Sequence, residues 1–104
     1  MSHTYTVTVR DFTRTHNISD LRDDDAAYLL SIFGTPAKVA AAAVVMAYYQ
    51  ANPDRYQDAA NSITGARSVI VHVSRPGDTR LYRVTEDADG YETVDHEGVV
   101  KVPA

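Results

Sequence analysis

The chain has 104 residues, 44% of them hydrophobic and 23% charged, with a formal net charge of −4 and no cysteine. That is enough for one domain with a real but thin core, and it excludes disulfide scaffolds, zinc-thiolate and iron-sulfur sites, and a thiol nucleophile. The opening MSHTYTVTVRDF lacks the basic and apolar regions of a secretory signal, and the apolar run from Val39 to Tyr49 is far shorter than the roughly 20 residues a bilayer needs, so a cytoplasmic location is expected.

Residues 4 to 10 alternate threonine and Arg10 against Tyr5, Val7 and Val9, the period of a half-buried strand. Residues 11 to 20 are polar and irregular and read as a loop. Asp23, Asp24 and Asp25 then supply the negative charge a helix N-terminus favours, and Ala26, Leu29, Leu30 and Phe33 recur at helical spacing up to Gly34.

The second helix carries the clearest signal. Thr35 suits an N-cap, Pro36 the first helical position, and Asn52-Pro53 ends the run. At 100° per residue, Val39, Val44, Val45, Met46, Tyr48 and Tyr49 fill one arc, whereas Ala40, Ala43, Ala47 and Ala51 form a narrow stripe. A helix apolar all round must be covered all round, so a sheet is expected on the large arc. A close helix, or a second copy of the chain in a homodimer, is expected on the alanine stripe. A third helix, 53–62, is expected to bury Tyr56, Ala59, Ala60 and Ile63 at its edge.

After Gly65 the period returns to two. Ser68 to Ser74 is a strand with Val69, Val71 and Val73 on one face and Ile70 and His72 on the other, and Arg75-Pro76-Gly77-Asp78 is a turn. Residues 80 to 86 form a strand, Asp87 to Gly90 a turn, and Tyr91 to Asp95 another strand. His96-Glu97-Gly98 is expected to lead into a last short strand, Val99 to Val102. The order β-ααα-ββ(β)β, with strands segregated from helices, implies a single α+β domain over 1–104. Its antiparallel meander would be covered on one face, with the Ala-rich helix 36–51 at its centre.

Motifs for chemistry are sparse. Aligning Gly90 with the glycine of a calcium loop puts Thr85 first and His96 where the bidentate glutamate belongs, so a solvated turn is the better reading. His3, His16, His72 and His96 have no ligand spacing. His72 reads as a core-edge residue, and His3 and His16 as exposed ones. Gly34 to Lys38 lacks the phosphate-loop pattern, and no GxSxG elbow exists. No cofactor, no metal and no catalytic residue is expected.

Charge is segregated instead. Residues 67 to 85 hold Arg67, Arg75, Arg80 and Arg83 against one acid, Asp78, while 86 to 98 hold six acids and no base. Eight arginines against two lysines, with abundant alanine and aspartate, suggest a GC-rich bacterial or phage source. The expected function is a small non-catalytic accessory or regulatory protein that binds another protein. Arg75, Arg80, Tyr82 and Arg83 would contact an acidic surface. Tyr48, Tyr49, Tyr56, Tyr82 and Tyr91 offer amphipathic interface area, or else finish the core with hydroxyls at its rim.

The alternative is a winged-helix-like DNA-binding regulator using helix 53–62 and the basic hairpin 67–85. Against it stand Asp54, Asp58 and a pI of about 5.4. A third layout, with Arg75, Arg80, Tyr82 and Arg83 on a meander behind a leading strand and helices, resembles the small mRNA-cleaving toxins of the RelE type. That resemblance would imply a ribonuclease, but the chain is acidic where such toxins are usually basic.

Overall fold

The computed structural model describes residues 4–99, and its sheet begins with the expected alternation. Strand β1 (Thr4–Val9) turns Tyr5, Val7 and Val9 inward, and all three are buried. The next residues, expected as a loop, form a second strand, β2 (Phe12–Asn17), antiparallel to β1 through the two-residue turn Arg10-Asp11. β2 is an edge strand, so most of its side chains stay wet and its polarity is compatible with pairing. Thr13 and Thr15 stand opposite Thr8 and Thr6, with the Thr8 and Thr13 hydroxyls 3.1 Å apart, and Phe12 packs edge-on against Tyr48. Asn17 ends the strand by accepting the Ser19 N–H, which sets a 3-10 turn over Ile18–Asp20 and buries Ile18. His16, expected exposed, is half-buried on the inner side of β2, opposite Tyr5.

Helix α1 (Asp23–Phe33) starts on its three aspartates and ends where Gly34 takes φ 96°. Helix α2 (Pro36–Ala51) follows after a 98° change of direction, with the Thr35 hydroxyl accepting the Lys38 N–H. α2 touches all five strands and is the centre of the core. Its sheet-facing arc is Ala41, Ala42, Val44, Val45, Tyr48 and Tyr49, which corrects the expectation for Met46: that residue faces outward, 51% exposed. Ala40 is fully buried, Ala43 and Ala47 are half-buried, and Ala51 is exposed. The near-perpendicular α1 meets α2 without running along the alanine stripe, so among the described residues no helix covers its length.

Helix α3 (Pro53–Asp58) stops short of residue 62. Asn61 competes with it, accepting the Ile63 and Thr64 amides through Oδ1 and closing a loop by donating its own N–H to the Ala66 carbonyl. Ile63 is therefore 92% exposed rather than buried.

Strands β3 (Arg67–Arg75), β4 (Asp78–Glu86) and β5 (Glu92–Val99) complete a five-stranded antiparallel sheet in the order β2-β1-β3-β4-β5. Gly77 supplies the positive φ of the β3–β4 turn. Residues 96–98 belong to β5 instead of leading into a new strand. A register shift sets His96 opposite Tyr82 and Gly98 opposite Leu81, leaving Glu97 as the extra residue. The expected strand Val99 to Val102 runs past residue 99 and so lies largely outside the described residues.

The inner face of the sheet is Tyr5, Val7, Val9, Val71, Val73, Tyr82, Val84 and Val94, packed on α2. The outer face, uncovered, carries Thr6, Thr13, Thr15, Ser68, Ile70, His72, Arg83, Thr93 and Asp95, all exposed; His72 is a surface residue and not a core-edge one. This is an α+β fold with its helices on one side of the sheet. Among the described residues no single helix is long and apolar enough to cross a membrane.

Candidate functional site

Strand parity divides the four residues expected to act together. Arg75 continues the inward series Val71, Val73 across the β3–β4 turn, and Arg80 and Tyr82 continue it on β4. Arg83 is odd in that count and projects from the outer face, where its Nε donates to Glu97 Oε1 over 2.8 Å. Arg75, Arg80 and Tyr82 thus meet in one cleft of about 160 Å³, together with Tyr5, Thr35 and Ala37.

Asp78 holds the two arginines in place. Arg80 Nε donates to Asp78 Oδ2 over 3.0 Å, and Arg75 Nε lies 3.9 Å from the same oxygen. One carboxylate facing two guanidiniums leaves a net positive charge. Both arginines are nearly half exposed, so the pairing is screened and weak. Asp78 holds the Arg80 guanidinium above its usual range, and burial raises the Tyr82 phenol although Arg80 opposes it.

Two donors in the cleft are uncommitted among the described residues. Pro36 has no N–H, Lys38 is capped by Thr35, and Val39 bonds the Thr35 carbonyl, which leaves the Ala37 amide as the open donor of the first turn of α2. The Tyr5 side chain, only 8% exposed, makes no hydrogen bond to any described residue.

The remaining basic residue of the hairpin is structural. Arg67, 11% exposed, donates to Glu86 across the β3–β4 pair over 3.1 Å and stacks 3.6 Å above the Tyr56 ring, whose hydroxyl donates to the same Glu86 oxygen over 2.7 Å. The tyrosines follow suit: Tyr48, Tyr49 and Tyr82 are core residues, Tyr56 is half-buried, and Tyr91 is the fully surface one of the five.

A larger cleft, about 450 Å³, was not visible in the sequence. It opens because β1 pairs with β3 only through Thr6, Val7 and Thr8, while β3 runs on to Arg67. Arg10 turns here with φ 55°, a conformation an arginine adopts at a cost. Arg55 closes the cleft with a bidentate pair to Asp11, 2.7 and 3.3 Å, which lowers the Asp11 carboxyl. With Arg10 and Arg55 balanced by Asp11 and Asp58, this cleft carries no surplus charge. The smaller cleft at the hairpin has both surplus charge and idle donors, and it is the better candidate for recognition.

Among the described residues no three His, Asp or Glu side chains come together as metal ligands would. No family model, curated protein or solved structure matches the chain.

Proposed function

We propose that the chain is a non-catalytic interaction module that grips an acidic element of another protein in the Arg75–Arg80 cleft. The carrying observation is the convergence of two guanidiniums on a single carboxylate, beside the open Ala37 amide and the unpartnered Tyr5 hydroxyl. An incoming carboxylate gains charge-assisted hydrogen bonds from such a set and desolvates little that is already satisfied. Arg83 belongs to the opposite face and is left out of this contact.

The geometry does not favour the nucleic-acid readings. α3 has six residues, carries Asp54 and Asp58, and has its one arginine committed to Asp11. Of the basic and aromatic groups that would act jointly on RNA, Arg83 stands on the opposite face of the sheet from Arg75, Arg80 and Tyr82.

A hexaglutamate peptide titrated into 15N-labelled protein tests the proposal. Binding is expected to shift the Ala37, Arg75 and Arg80 amides, to weaken with added salt, and to fall at least about tenfold in Arg75→Ala and Arg80→Ala. Shifts that are unchanged in both variants would overturn it.

A further inference from the structure

At the far end of α2, the β4–β5 register sets Glu86 directly opposite Glu92 on the inner side of the sheet. Like charges in that position repel, and the chain neutralises only one of them. Glu86 receives Arg67 at 3.1 Å and the Tyr56 hydroxyl at 2.7 Å, whereas Glu92, half-buried, has no cation and no hydrogen-bond donor among the described residues.

Glu92 lines a cleft of about 340 Å³ walled by Met46, Tyr49, Gln50 and Tyr56. The Tyr49 and Tyr56 rings lie 5.3 Å apart at 72°, so they present two differently inclined aromatic walls. Tyr49 is nine-tenths buried, and its ring forms a wall between this cleft and the larger one beside Arg10. The cleft also lies against the last turns of α2, where the helix dipole is negative. Aromatic walls of this kind attract a cation through their ring faces.

We propose that this cleft is a seat for a primary alkylammonium group. Its charge would meet the Glu92 carboxylate, its protons the Glu92 and Gln50 oxygens, and its methylenes Met46 and the tyrosine rings. A hard divalent ion is a poorer match, because such ions need six or more oxygens and, of the two carboxylates lining this cleft, Glu86 is already committed to Arg67 and Tyr56, which leaves Glu92 beside a thioether and rings. Burial and the neighbouring Glu86 hold Glu92 up to about 7, the condition of a carboxylate whose counter-charge is missing.

The probe is n-butylammonium, titrated into 15N-labelled protein at pH 8 against sodium at equal ionic strength. The expected result is a saturable shift of the Gln50, Gly90 and Glu92 amides together with a fall in the Glu92 titration midpoint by NMR. Glu92→Gln should weaken binding at least tenfold and Arg80→Ala not at all, which separates this seat from the anionic contact at the other end of α2. Tighter binding of Nα-acetyl-lysine amide, whose ε-ammonium is free, than of putrescine assigns the group to a protein lysine, and the reverse assigns it to a free diamine. Equal shifts with sodium, an unmoved Glu92 midpoint, or undiminished binding in Glu92→Gln overturns the proposal.

Discussion

The two ends of α2 are set in opposite electrostatic surroundings, and each is the reverse of what helix stability favours. An α-helix gains from acids at its N-terminus and bases at its C-terminus, by about 0.3–1 kcal/mol each. α1 follows that rule, with Asp23, Asp24 and Asp25 in its first turn. α2 does not: Arg75 and Arg80 share a cleft with its first turn, and Glu86 and Glu92 share one with its last turns. Within one small domain, then, an ordinary helix stands next to a helix whose ends add to the like charge nearby. Stability is conceded at both ends of α2, which is what the two proposed seats, for ligands of opposite sign, would require.

The comparison is broken most severely at Arg67. This side chain is what keeps the glutamate pair tolerable, and removing it leaves two facing carboxylates in a partly buried site with no described cation between them. Arg67→Ala is expected to lose about 2–3 kcal/mol in urea unfolding at pH 7. Adding Glu92→Gln should recover a substantial part of that loss, because the two sites are coupled. Strict additivity of the two variants would mean that the glutamates do not sense each other.

A smaller effect, of opposite sign, belongs to Glu92 alone. Its carboxyl titrates at about 7 in the folded chain against an ordinary 4.5, so between those values the folded state binds more protons than the unfolded one. Its contribution to stability is full below pH 4.5 and is lost as the pH rises through 7. Glu92→Gln should therefore match the wild type in acid and become more stable above neutrality, by about 1–2 kcal/mol after allowing for solvent screening. Unfolding curves at pH 4 and pH 8 measure the difference directly, and a gap that is the same at both values would contradict the account.

How far this contrast was legible in the sequence depends on parity and pairing. The strands β1 and β3 are written in alternating valines, β4 in the alternation of Tyr82 and Val84 with Arg83, and the helix α2 in its caps. Arg75, Arg80 and Tyr82 were readable as one group because residues 75, 80 and 82 fall on the same face of the hairpin. The same count assigns Arg83 to the other face. β2 was hidden because an edge strand needs little apolar surface. Its faint signals were the Thr13, Thr15 alternation and the two-residue interval Arg10-Asp11 between extended runs. The glutamate pair was illegible for a different reason: Glu86 faces Glu92 only once the register across the Asp87–Tyr91 turn is known. Ile63 went wrong because the Asn61 side chain, not hydrophobic periodicity, ends α3.

The finest test of the contrast lies at Asp78. If the hairpin cleft is an anion seat held partly closed by its own carboxylate, then Asp78 competes with the partner for the same two guanidiniums. Asp78→Asn keeps the size and one acceptor while removing the charge, so hexaglutamate should bind about threefold more tightly and with a steeper salt dependence. Both arginines sit nearly half in water, so the gain stays small. Were Asp78 instead the group that positions the arginines for contact, the same substitution would weaken binding. The sign of the change therefore distinguishes a competing carboxylate from an orienting one.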